Sequence, residues 1–261
     1  MVWTERQQAM LGAMGLRMWA PPEPAAPVAA LAVPAAAAAR AAPVERAVVA
    51  HPVRARGDIA TLDWPQLRAS VAACTACVLC ESRTQTVFGV GHPQAQWLVV
   101  GEAPGEEEDK QGEPFVGASG QLLDRMLAAL QLTRSSEGDA PPSQRVYIAN
   151  TLKCRPPRNR NPGPEEMAQC EPYLARQIEL LQPRVILAMG KFAVQTLLRS
   201  EEPIGKLRGR VHRYQGVPLV VTYHPAYLLR SLQEKAKAWE DLCLAATVAE
   251  TISSAASTPS G

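Results

Sequence analysis

Gln96-Trp97-Leu98-Val99-Val100-Gly101-Glu102-Ala103-Pro104-Gly105 is the stretch that decides the fold class. Residues 96–100 form a short apolar run of the kind a buried strand makes, and Gly101 ends it. Gly101, Pro104 and Gly105 then suit a tight turn whose backbone can approach a ligand closely. The pattern recurs downstream. Residues 145–149 read as a second strand, 184–189 as a third and 217–222 as a fourth, with an edge segment near 211–214. Between them lie helical stretches. Residues 117–130 carry Leu122, Leu123, Met126, Leu127 and Leu130 at helical spacing. Pro164 leads a helix over 165–181, and Glu165 and Glu166 suit the positive end of its dipole. Residues 190–198 give a third helix and 235–252 a closing one. Strands alternating with helices imply a mainly parallel sheet covered on both faces. Function then sits beyond the carboxyl ends of the strands, where Gly101, Asn150, Gly190 and His224 fall.

The chain has 261 residues, six cysteines and a formal net charge of +2. Six unevenly spaced cysteines are too few for a disulfide scaffold, so a reducing cytoplasm and a metal site are expected. No apolar stretch reaches the roughly 18 residues of a membrane span. Glu5, Arg6, Gln7 and Gln8 interrupt the place where a signal peptide needs its apolar run. The near-neutral total does not announce a nucleic-acid binder, but local charge does. Arg155, Arg158 and Arg160 crowd one proline-rich loop, and Lys206, Arg208, Arg210 and Arg213 another.

Cys74 and Cys77 form a C-x2-C clip, and Cys154 and Cys170 follow later in the chain. Thiolates grouped this way favour a soft-metal site, an iron–sulfur cluster or zinc. Cys80 extends the clip to C-x2-C-x2-C, and Cys243 reads as a small buried residue of the last helix. Glu102, Glu106, Glu107, Glu108 and Asp109 add five carboxylates after the first strand. Glu106 and Glu107 are expected in solvent, whereas Glu102 sits at the strand tip. Phe115, between Pro114 and Gly117, offers a ring for the core or for stacking on a base. Asn150 ends the second strand with an amide able to pair bidentately with a base edge. His224 ends the fourth, where an imidazole can donate to an oxygen that gains negative charge.

Together these motifs resemble the family 4 uracil-DNA glycosylases, the iron–sulfur type of their superfamily. The likeness runs from about Cys74 to Trp239. It rests on Gly-Glu-Ala-Pro-Gly-Glu-Glu-Glu-Asp at 101–109, Pro-Phe-Val-Gly at 114–117, Asn150 with Lys-Cys-Arg-Pro-Pro at 153–157, and His-Pro-Ala-Tyr-Leu-Leu-Arg at 224–230. The resemblance implies a three-layer α/β/α sandwich around a four-stranded, mainly parallel sheet. It implies a 4Fe-4S cluster on Cys74, Cys77, Cys154 and Cys170, and uracil-containing DNA as the substrate. Uracil would be flipped from the stack into a pocket of Gly101, Ala103, Gly105, Glu108, Phe115, Asn150 and His224. Phe115 would stack on it, Asn150 would read its edge and His224 would stabilise the departing anion. Family 1 enzymes place a water-positioning aspartate where this chain has Ala103, which leaves Glu102 to orient water. Their thymine-excluding aromatic is replaced by Gly105, with Glu108 to fill the space. Arg155, Arg158, Arg160 and Arg230 would meet DNA, and Leu228 and Leu229 would wedge into the vacated stack. The alternatives are an iron–sulfur electron carrier and an iron–sulfur nucleic-acid-binding module without glycosylase activity.

Residues 21–50 are mainly alanine and proline, and their six prolines break any helix the alanines start. The expected division is a docking peptide over 1–20, a linker over 21–58, the glycosylase domain over 59–252 and a disordered tail over 253–261. In the first segment Thr4 to Gln7 fit a capping box, and Met10, Leu11 and Met14 make an apolar stripe. Met-Gly-Leu-Arg-Met-Trp at 14–19 is similar to the N-terminal peptide of the bacterial DNA polymerase III psi subunit, which binds the chi subunit. A replisome or single-strand-binding partner held through residues 3–21 is the expectation, on a chain that is otherwise a monomer.

Overall fold

The structure is a computed structural model that describes residues 58–256. The expected docking peptide, the linker as far as residue 57 and the end of the expected tail lie outside the described residues. Helix α1 (Trp64–Ala72) opens on a capping box in which Asp63 accepts from the Gln66 N–H and Gln66 accepts from the Asp63 N–H. The short helix α2 (Leu79–Ser82) and strand β1 (Val90–Gly91) follow. Strand β2 (Trp97–Gly101) leads into helix α3 (Glu106–Gln111) and helix α4 (Ala118–Ala129). Strand β3 (Val146–Asn150) precedes helix α5 (Pro164–Leu181), strand β4 (Val185–Met189) and helix α6 (Lys191–Leu198). The chain closes with helix α7 (Ile204–Leu207), strands β5 (Val211–Tyr214) and β6 (Val217–Thr222), the one-turn helix α8 (Pro225–Leu228) and helix α9 (Lys235–Ala256).

The sheet order is β1-β3-β2-β4-β6-β5. The four inner strands are parallel, and β1 and β5 add antiparallel edges. The sheet therefore has six strands rather than four. The parallel centre is as expected; the β1 edge, two residues long, is too short to leave a periodic signal. Alternate side chains point to opposite faces. Leu98, Val100, Ile186 and Val221 pack with Leu174 and Ile178 of α5 and Val194 of α6. Val99, Ile148, Leu187 and Val220 pack with Leu123 and Leu127 of α4 and Leu242 of α9. Helices thus cover both faces, giving three layers. A third cluster, around Leu67, Leu79, Phe88, Leu152 and Tyr173, holds the segment before β1 to α5.

The acidic run at 106–109 is the first turn of α3, where carboxylates face the positive helix end, and Glu106 and Glu107 are exposed as expected. Two details differ from expectation. Cys243 is exposed, because it sits on the outer side of α9 while Leu242 and Ala245 face the sheet. That helix also continues four residues past 252, into the segment expected as a tail.

Candidate active site

The carboxyl ends of β2 and β3 lie side by side, with Gly101 paired to Asn150. A side chain at 101 would have its Cβ 2.4 Å from Asn150 Oδ1 and 2.6 Å from Phe115 Cζ. Glycine there lets the amide and the ring pack onto the strand tip. At the end of β4, Gly190 (φ +89°) does the same for His224, whose Cβ stands 3.1 Å from where a side chain would begin. Beyond these tips lies a cavity of about 370 Å³, lined by Glu102, Gly105, Glu108, Phe115, Asn150 and His224 among others. That size suits one small ring system. Ala103 lines it too, and Gly101 forms the wall behind Asn150 and Phe115.

Each lining group is fixed by a separate device. Asn150 is buried, and its Oδ1 has no hydrogen-bond partner among the described residues. An unpaired buried acceptor is costly and signals a ligand donor. His224 stacks on Phe115, with ring centroids 5.4 Å apart and planes 26° from parallel. Burial, reinforced by the Arg230 charge, pushes its pKa down to about 4, so the ring is neutral at pH 7. The Ala226 N–H donates to His224 Nδ1 at 3.2 Å. Nδ1 is therefore the bare nitrogen, and Nε2 carries the proton. The side chain is a neutral donor, not a cation.

Glu108 joins two loops. Its Oε2 accepts from the Gly105 N–H at 3.0 Å, and its Oε1 accepts from Val116 at 3.0 Å and Gly117 at 3.2 Å. It lies against Gly105, where an added Cβ would come within 2.6 Å of Oε2. Phe115 adopts a left-handed backbone (φ +56°), sparsely populated for a non-glycine residue. Arg134 Nη1 donates to the carbonyls of Pro114 (2.9 Å) and Phe115 (3.0 Å), while Nη2 pairs with Asp124 at 3.0 Å. Gly120 makes room beneath: a Cβ there would lie 1.7 Å from the Phe115 carbonyl oxygen. Glu102 is partly buried, which raises its carboxyl above the usual range.

Arg134 and Gly120 are the residues sequence reasoning missed, and Lys153 stands in the 153–157 motif without a role assigned to it. Gly120 interrupts a helical pattern, the one local signal either of the missed two carries. Lys153 is fully buried and donates to Gln177 Oε1 at 2.6 Å and to the Asn150 carbonyl at 2.9 Å.

A second groove, of about 610 Å³, adjoins the cavity, sharing Glu102, Ala103 and His224 and continuing past Lys191, Tyr227 and Arg230. Of the arginines expected to meet DNA, Arg158, Arg160 and Arg230 are exposed. Arg155 is tied to Glu106 (3.2 Å) and Asn159 (2.7 Å), and Arg160 pairs with Glu166. Leu228 is 1% exposed and Leu229 42%. The single turn of α8 points Leu228 inward, so Leu229 alone of the two faces solvent. The second basic cluster is largely paired internally: Arg208 holds Asp241 and Glu240, and Arg210 faces Glu202.

Cys74, Cys77, Cys80, Cys154 and Cys170 line one cavity behind this site, and none is in a disulfide. Cys154 Sγ accepts from Arg83 Nη1 at 3.0 Å, and Cys170 Sγ accepts from the Lys153 N–H at 3.2 Å. Burial pushes the Cys154 thiol up to about 11 and Cys170 up to about 12, so a bound cation must draw off their protons. Among the described residues no three His, Cys, Asp or Glu side chains close around a point tightly enough for a single ion. Five thiols around a shared cavity, with an N–H donor and a guanidinium beside them, make a soft donor set.

The model of the uracil DNA glycosylase superfamily matches residues 88–243. A type-4 uracil-DNA glycosylase of Archaeoglobus fulgidus is 42% identical over 61% of this chain and 79% of its own length. One from Thermotoga maritima is 43% identical over 62% of this chain and 80% of its own. A type-5 uracil-DNA glycosylase of Pyrobaculum aerophilum is 33% identical over 53% of this chain and 64% of its own.

Proposed function

Because this chain belongs to the uracil-DNA glycosylase superfamily, we infer that it is a DNA-repair enzyme that hydrolyses the N-glycosidic bond of uracil in DNA and leaves an abasic site. The observation that carries the reading is Asn150 Oδ1, a buried acceptor without a partner among the described residues, beside a base-sized cavity. Uracil presents N3–H as a donor beside the O4 acceptor, and an asparagine amide complements both. The flipped base stacks on Phe115. As the bond to the sugar breaks, negative charge gathers on the ring oxygens, and His224 Nε2–H donates to it. A neutral donor already in place needs no proton rearrangement during the reaction. Glu102 is the carboxylate placed to orient the incoming water. Arg158, Arg230 and Leu229 engage the DNA backbone and the vacated stack along the adjoining groove.

Cys74, Cys77, Cys154 and Cys170 hold a 4Fe-4S cluster in this reading, supported by the five thiols that line their cavity. Bound there, the cluster would tie the segment before β1 to the loop that follows Asn150. A cytoplasmic setting suits its reduced thiols. No described helix is long and apolar enough to cross a membrane. The chain acts as a monomer, and residues 3–21 tether it to a replisome or single-strand-binding complex. A peptide of residues 1–22 that captures no replisome component in a pull-down would sink the tether.

Incubation with uracil-containing single- and double-stranded oligonucleotides, followed by alkali, tests the activity. Strand breaks at uracil and none at thymine are expected. Iron-loaded protein that binds DNA but yields no abasic sites would leave the silent binding module as the better account.

A further inference from the structure

We propose that Cys80 is a reserve cluster ligand, able to complete the iron-binding set in place of Cys77. The proposal rests on the cluster reading above and goes beyond it, since four thiols already satisfy a four-iron cluster. Cys80 lines the same cavity as those four. Cys74, Cys77 and Cys80 also repeat the C-x2-C-x2-C spacing with which bacterial ferredoxins hold iron.

The surroundings single out Cys77 as the residue replaced. The Cys80 N–H donates to the Cys77 carbonyl at 3.2 Å, so both lie on one tight turn at the start of α2. Cys154 and Cys170 are buried, each accepting an N–H bond at sulfur. The pair from the sheet side is thus fixed, while Cys74, Cys77 and Cys80 are half-buried on one local segment. In the exchange Cys80 gives its proton to solvent and its sulfur binds iron. The iron–sulfur bond at Cys77 breaks and that thiolate takes up a proton. No electron changes hands.

The test compares four full-length proteins made without oxygen: wild type, Cys80→Ser, Cys77→Ser and the double variant. Iron and acid-labile sulfide per chain, visible absorption and far-UV circular dichroism are read for each. Wild type and Cys80→Ser should carry about four irons, the number in a complete cluster. Cys77→Ser should keep more than roughly half of that, and the double variant less than about a tenth. If Cys77→Ser folds and retains iron while the double variant is insoluble, the proposal stands, because Cys80 is the one difference. A Cys77→Ser protein as iron-poor as the double variant, or one that fails to fold while Cys80→Ser loads fully, overturns it. Wild-type protein without iron would instead overturn the cluster reading and this proposal with it.

Discussion

Lys153 donates its buried ammonium to the carbonyl of Asn150 at 2.9 Å, fixing the backbone of the residue whose amide faces the cavity. The next residue is Cys154, so one short segment joins the pocket to the thiol-lined cavity. Lys153→Met keeps the volume but leaves Gln177 Oε1 and the Asn150 carbonyl each short of a donor. An unsatisfied buried group costs about 1–3 kcal/mol. A lower urea midpoint together with slower uracil excision is expected. Unchanged values of both would remove Lys153 from the support of Asn150.

Asn150→Ala and His224→Ala should each slow single-turnover excision at least about tenfold, since one lost donor to a developing anion commonly costs about 2.7–4 kcal/mol. Circular dichroism should stay that of the wild type. Wild-type rates in both variants would take these residues out of the chemistry.

Gly120→Ala places a Cβ against the Phe115 carbonyl, inside the distance any contact allows. Overpacking of this kind costs about 1–3 kcal/mol. The Phe115 loop must shift, and Phe115 carries the stacking face. Thermal stability and excision should fall together. A variant as stable and as active as the wild type would contradict this geometry.

The depressed pKa of His224 has a sign that can be checked. Unfolded, the ring titrates near 6.5; folded, near 4. Between those values the unfolded chain binds the extra proton, so the stability contributed by neutral His224 is complete above pH 6.5 and declines as pH falls towards 4. The catalytic donor likewise persists through pH 6.5. An NMR titration of the imidazole should show a midpoint near 4. A midpoint near 6.5 would mean the ring is not buried as described.

The sequence carries the sheet well because buried parallel strands are written as uninterrupted apolar runs: Leu98–Val100 and Val185–Met189 need no context to be read. Gly101, Asn150 and His224 are legible for a related reason, since each stands at or just past the carboxyl end of such a run. What stayed hidden acts across the fold. Arg134 reaches the Phe115 carbonyl from the far side of α4, and no local spacing announces it. Leu228 and Leu229 are chemically identical neighbours, and the direction of one helical turn decides which meets solvent. Cys243 was misplaced because alternation around a long helix is shallow when alanine fills many of its positions.

Glu108 grips Gly105, Val116 and Gly117 through their main-chain amides alone. An amide N–H is the same whatever side chain its residue bears, so Val116 is free to drift in evolution without loosening the wall. The heritable instruction for holding those loops together is thereby concentrated in one codon, and a change there removes three anchors at a stroke.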